Sequence, residues 1–337
     1  MDDLLLQPFV RLLEEISDPA AVRRAEQGDG RQAIWAALLD SGFVDALVDE
    51  AHGGAGLSPS SVTPLFVAAG KHLLPVAFAE TAVARALAAS AGRPLPVETP
   101  VLLWPLDMQG RLQSLLAPVA AGATHTLVQK GKRVELRPLA GDQQDPDGYG
   151  VTPASLDSNA APLLAFDLPE DTLLHWAAAL AAAAMAGAMN RVLELSLAHV
   201  NDRQQFGRPL SKFQAIQQQV SVLAERVATA AVAARFALSG AMPGPGAAQA
   251  AIAKIVADEA ATPVCAIAHA LHGAIGISAE HDLSLYTRRL KRWQASFGSG
   301  SHWAQRLGEL RLAESGGTTV DFIRAQRAEF LVSPEQL

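Results

Sequence analysis

The run Arg203-Gln204-Gln205-Phe206-Gly207-Arg208-Pro209-Leu210, followed by Ser211-Lys212-Phe213-Gln214, gathers the residue types that grip a flexible, anionic, flat molecule. Arg203 offers a planar fork of donors that matches a phosphate. Phe206 offers a flat face, and Gly207 lets the backbone come close to a ligand. A plain interhelical turn accounts for the same residues. Gly and Pro punctuate helix ends, and Ser211 with Gln214 has the spacing of a capping box that opens a following helix. Residue types and spacing leave both readings standing.

The other chemistry-bearing residues are sparse. The single cysteine, Cys265, sits in an Ala-rich helical run with no activating neighbour, as expected of a buried, inert thiol in a reducing compartment. Among the histidines only His269 and His272 stand at a helical spacing that two metal ligands could share. One of them is expected in the turn that follows, so no metal site is expected. The clusters Gly28-Asp29-Gly30 and His52-Gly53-Gly54-Ala55-Gly56 are not phosphate loops, because no strand precedes them and no Gly-Lys-Ser/Thr ending follows. Helix ends and turns explain them.

The elements that must position the Arg203 run are mostly helical. Residues 1–92 carry apolar positions at three and four spacing, as in Leu4, Leu5, Phe9, Leu12 and Leu13. Over 93–168 the texture changes to short β-prone runs, at Val101–Trp104, Thr124–Val128, Arg133–Leu136 and Leu163–Phe166, with a polar loop at Asp142–Gly150. A small antiparallel β-domain is expected there. Pro169-Glu170-Asp171-Thr172 then reads as a helix start, and helices are expected at about 172–202, 212–239, 248–271, 280–296 and 301–314. Long helices with short connections predict an antiparallel bundle over 169–314. The polar tail, 315–337, is either a docked arm or frayed. The fold class is therefore mainly α with a small β-domain between an N-terminal helical domain and a C-terminal four-helix bundle.

With 337 residues, half of them apolar, and a net charge of −7, the chain can bury a large core. No dense Lys/Arg run appears, which argues against nucleic acid and anionic membrane surfaces as partners. Leu173–Met189 is nearly uncharged but short for a bilayer and mostly Ala, as a tightly packed soluble helix would be. The opening Met1-Asp2-Asp3 lacks the basic flank of a secretory signal, so a cytoplasmic protein is expected.

Helical segment, small β-segment and four-helix bundle, with Arg-x-x-Phe-Gly after the first bundle helix and His-Gly-x-x-Gly after the third, resemble the acyl-CoA dehydrogenase family over about residues 30–310. The most specific stretch is Asp202–Gln217. The second, Leu271–Arg289, is similar to the branch found in bacterial steroid and side-chain degradation. The resemblance implies α,β-dehydrogenation of an acyl-CoA thioester. A carboxylate removes the α-proton while hydride passes to FAD. It also implies a dimer or tetramer, homo- or hetero-oligomeric, in which the Arg-x-x-Phe turn of one subunit grips the diphosphate and adenosine half of an FAD held mainly by its neighbour. By that resemblance Arg203, Phe206, Gly207, Gln214 and Gly273 are cofactor-binding residues.

The departures from the family pattern concern the chemistry. Ala270 stands where a Gln is usual, and Ala274 replaces the second Gly of the His-Gly turn. The two positions from which family members present the catalytic carboxylate fall at Phe297, with Ser299 two residues on, and at about Ala177. None is acidic. Glu280 matches a family Glu expected to cap a helix, and the flavin-contacting segments of the β-domain are not found. Two cases follow: a non-catalytic partner in a heteromeric enzyme, or a chain active alone with an unusual base such as Asp171 or His302. The alternative class is a helical binding or scaffolding module without flavin. Polyketide, steroid side-chain, branched and aromatic acyl-CoAs all remain open as substrates.

Overall fold

The computed structural model describes residues 2–105, 116–117, 122–139, 152–153, 156–157, 160–314 and 316–331. The Asp142–Gly150 loop lies outside them. Five helices open the chain: α1 (Asp2–Ile16), α2 (Pro19–Glu26), α3 (Arg31–Asp40), α4 (Pro59–Lys71) and α5 (Phe78–Ser90). Asp18 and Ser58 start α2 and α4 as side-chain caps with Pro at the first helical position, where no N–H is missed.

The middle segment contains β1 (Val101–Pro105), β2 (Leu116–Ala117), β3 (His125–Lys130), β4 (Arg133–Pro138), β5 (Thr152–Pro153) and β6 (Leu164–Asp167). Four of these form one sheet in the order β1-β3-β4-β6. The expected antiparallel sheet needs correction. β3–β4 and β4–β6 are antiparallel, but β1 runs parallel to β3, with Leu103 opposite Leu127. β1 is an edge strand that docks on α5 through Thr81, whose hydroxyl receives the Val101 N–H at 2.9 Å.

The remainder is the bundle: α6 (Thr172–Asp202), α7 (Gln214–Ala237), α8 (Ala247–His272), α9 (Leu283–Ala295) and α10 (Gly300–Ala313), with α11 (Thr319–Leu331) after it. Between α6 and α7 lies a two-stranded hairpin, β7 (Gln204–Gln205) and β8 (Arg208–Pro209). α6 is the central strut. Its Ala-rich stretch from Ala177 to Met189 is nearly all buried, which small side chains permit by letting helices approach. At Gly187 a Cβ would lie 1.9 Å from the Val67 carbonyl oxygen of α4, so only glycine allows that crossing. One contiguous apolar core runs from Phe9 through β1 and α6 to Trp293.

Two helices, starting at Thr172 and at Ala247, have the length and composition of membrane spans, and the apolar window of the first is 89% buried within the fold.

Local expectations at helix starts are corrected as well. α7 begins after Phe213, with no side-chain cap, so Ser211 and Gln214 form no capping box; instead Gln217 donates to the Ser211 carbonyl at 2.9 Å. Asp171 precedes α6 in a left-handed conformation, also without capping it, and pairs with Arg306 of α10. The residue before α9 is Asp282, not Glu280. His269 and His272 both lie within α8. The tail contributes α11, whose Phe322 is buried.

Candidate functional site

The predicted cofactor residues converge at one end of the bundle. α6 ends at Asp202, and the Arg203 amide still donates to the His199 carbonyl at 2.9 Å. The hairpin closes with the Leu210 N–H on the Arg203 carbonyl at 2.9 Å. Its tip is Phe206-Gly207, both at positive φ, +51° and +77°. For Phe206, a non-glycine in the left-handed region, that conformation stores strain on the order of 1 kcal/mol or more. Strain is the smaller oddity. Phe206 is also 88% exposed, the most exposed of the large apolar side chains.

Arg203 is exposed, and its guanidinium makes no hydrogen bond or ion pair among the described residues. Arg208 is instead held over the Phe213 ring, 4.2 Å from its centroid. Phe213 in turn meets the Phe206 ring at 6.1 Å. The turn thus presents one uncommitted cation and one uncovered aromatic face on a braced hairpin. That donor set fits a molecule with a diphosphate and a flat base, supplied from outside this subunit. Gln214 is exposed at the first position of α7.

Gly273 terminates α8 with φ +64°, and its amide donates to the His269 carbonyl. The two turns are joined through side chains that sequence reasoning left aside. The His199 ring stacks on His272 with centroids 4.4 Å apart, and His272 meets His281 edge-on at 5.0 Å.

The base positions lie elsewhere. Phe297, expected at the family's carboxylate position, adopts φ +56° and lines a small apolar cavity of about 50 Å³ between α4, α5, β1, α6 and α9. Roughly 150 Å³ is needed to admit even a benzene ring, so the cavity has no room for an acyl arm. Ser299 caps α10, accepting the His302 amide at 3.3 Å. Ala177 is buried in α6. Of the two alternative bases, Asp171 is committed to Arg306, whereas burial is the main cause that lowers the His302 pKa, with Arg306 adding to it, which leaves that ring neutral.

One carboxylate does face the cavity: Glu80, in the first turn of α5. Desolvation by the apolar walls pushes its carboxyl up to about 7, opposed by a hydrogen bond from its own backbone amide. In sequence it resembles any acidic residue in a helix's first turn, so no signal distinguished it. Cys265 is buried and its thiol is pushed up to about 11 by desolvation, an inert state. Among the described residues no group of three or more His, Cys, Asp or Glu side chains is placed to hold a metal ion.

Residues 166–306, which span α6–α9 and the first half of α10, match the model of the acyl-CoA dehydrogenase C-terminal domain. That segment of the chain is similar to the C-terminal domain of acyl-CoA dehydrogenases. It is 29% identical over 299 residues to the acyl-CoA dehydrogenase IpdE2 of Mycolicibacterium smegmatis, covering 85% of this chain and 91% of that protein. Its fold is that of solved acyl-CoA dehydrogenases. A variant of the Tcur3481–Tcur3483 steroid ACAD superposes with a TM-score of 0.77 at 24% identity, covering 91% of this chain and 96% of that one. The ChsE4–ChsE5 complex of Mycobacterium tuberculosis gives 0.74 at 20% identity, covering 94% and 98%. Members of this family generally bind FAD. In this chain the Arg-x-x-Phe-Gly turn is present at Arg203–Gly207.

Proposed function

We propose that this chain is the cofactor-lending, base-free subunit of a heteromeric acyl-CoA dehydrogenase of the cytoplasm. It lends Arg203, Phe206 and Gly207, with Gln214 and Gly273 at the margins, to an FAD held mainly by a catalytically complete partner. FAD, when bound, supplies the hydride acceptor for α,β-dehydrogenation of an acyl-CoA. This chain's residues fix the cofactor's anionic half: Arg203 neutralises phosphate charge, Phe206 stacks on a base, and Gly207 permits close approach of the backbone.

The observation that carries the reading is a contrast within one chain. The Arg203–Phe206 turn is exposed and uncommitted, whereas the base position is filled by Phe297 beside a cavity of about 50 Å³. Solved relatives include two-component assemblies, and one is named as a steroid ACAD, so a steroid-derived acyl-CoA is the first substrate class to try. Glu80 favours a second reading, a chain active alone with the base on α5. The test is expression of the chain alone and with candidate catalytic subunits. Flavin absorbance and acyl-CoA bleaching confined to the mixed complex support the proposal. A yellow single chain that forms enoyl-CoA at ordinary turnover overturns it.

A further inference from the structure

The Arg203 turn and the Gly273 turn each hang from a histidine. The Arg203 amide is bonded to the His199 carbonyl and the Gly273 amide to the His269 carbonyl. The rings complete the link. His199, in the last turn of α6, lies flat on His272, in the last turn of α8, at 4.4 Å and an interplanar angle of 24°. His281, just before α9, closes the stack from the other side at 5.0 Å. Two hydrogen bonds set the tautomers. His272 Nδ1 donates to the Ala268 carbonyl at 2.8 Å, and its Nε2 is buried without a partner among the described residues. His281 Nδ1 accepts the Leu283 amide at 3.1 Å and is therefore proton-free. A proton added at His272 Nε2 would find no acceptor.

We infer that His199 and His272 are positioning residues for the cofactor turn. Their stacked neutral rings hold the Arg203 hairpin in register with the Gly273 turn, and protonation of the stack separates the two turns and weakens FAD binding. The inference rests on the FAD reading above.

The surroundings favour the neutral form. Around His199 stand Arg203 and His281, which oppose a further positive charge, with Asp202 the one acidic residue that assists it. Around His272 stand His199, His269 and His281, all of which oppose it. Burial lowers both rings below the ordinary histidine range. Two imidazolium rings face to face in a half-buried site repel, and Asp282, beside His281 at the start of α9, is committed to Arg23 at 2.9 Å. Moving His199 away from His272 would act on the end of α6, where the Arg203 amide is bonded to the His199 carbonyl.

The test uses the full-length chain in two arms. Hydrogen exchange of the segment 199–212, corrected for the intrinsic pH dependence, is compared at pH 8 and pH 5.5. FAD is titrated at the same two pH values and followed by flavin fluorescence, alone and with a catalytic subunit. The inference expects wild-type protection of this segment, and FAD affinity, to drop several-fold at pH 5.5. His199→Phe, which stacks but cannot titrate, should behave at pH 5.5 as it does at pH 8, and His281→Gln should show a reduced drop. Equal wild-type protection at both pH values, or an undiminished drop in His199→Phe, overturns the inference. If FAD binds at neither pH, the FAD reading fails, and the exchange arm still decides whether the stack controls the turn.

Discussion

Trp303 donates its indole N–H to the carbonyl of Phe297 at 2.8 Å, pinning the turn between α9 and α10. Phe297 sits at φ +56°, and at Gly298 a Cβ would lie 2.8 Å from Trp303 Nε1, so the indole and the turn are built against each other. Trp303 is fully buried and in turn stacks near His175 and Arg306. The Phe297–Gly298 turn is therefore a packed structural joint between α9 and α10. Trp303→Phe should leave the Phe297 carbonyl without its donor and cost about 1–3 kcal/mol by denaturant titration. Phe297→Glu should form no enoyl-CoA in the isolated chain, because the cavity behind it is about 50 Å³; turnover by that variant would show that acyl-CoA can enter.

A second joint lies under the same turn. Lys254 of α8 is fully buried and pairs with Asp258 at 2.7 and 2.8 Å while also reaching the Gln294 carbonyl. Desolvation lowers the Lys254 pKa and pushes Asp258 up to about 6, both away from the charged forms that the pairing favours. Lys254→Met should strand a buried carboxylate and cost on the order of 3–5 kcal/mol, whereas Lys254→Met with Asp258→Leu should be near neutral. Equal losses in the single and double variants, read from denaturant midpoints, would contradict that account.

The bundle was legible because its helices announce themselves. Ala/Leu/Val stripes run between Gly- and Pro-rich breaks, and the expected bounds of α6 coincide with those found, while α7, α8, α9 and α10 fall within a few residues. The sheet was legible strand by strand but not in its pairing, since parallel β1–β3 contact depends on docking to α5, which no local pattern records. Helix starts were misread at Ser211 and Asp171, where tertiary partners took the side chains or the chain ran on past the cap. The family motifs pointed to Arg203 and Phe206. The stack of His199 on His272, and Glu80 on its cavity, join elements far apart in sequence and leave no spacing signal.

Acid stability should report His175. Burial beside Trp303 lowers its pKa to about 4, Arg306 adds to that and Asp171 opposes it, and Nε2 has no partner. Above about pH 6.5 the ring is neutral folded and unfolded, so it contributes nothing to the pH dependence. As pH falls from about 6.5 to 4, the unfolded chain takes up the proton first and stability drops, levelling below the folded pKa. With allowance for partial solvent screening, the loss is about 2 kcal/mol. His175→Gln should flatten that limb of a stability–pH curve; an unchanged slope would exclude His175 as its source.

The most direct measurement is the visible spectrum of the purified complex formed with a catalytic acyl-CoA dehydrogenase subunit, comparing wild type with Arg203→Ala at equal protein. The guanidinium is exposed and makes no ion pair among the described residues, so the variant should fold as wild type does. Loss of one charge-assisted phosphate contact, worth about 1.5–3 kcal/mol, should weaken FAD retention roughly ten- to a hundred-fold. The account predicts a wild-type complex with flavin absorbance and a largely colourless variant of unchanged melting temperature. A variant complex as yellow as wild type would contradict it.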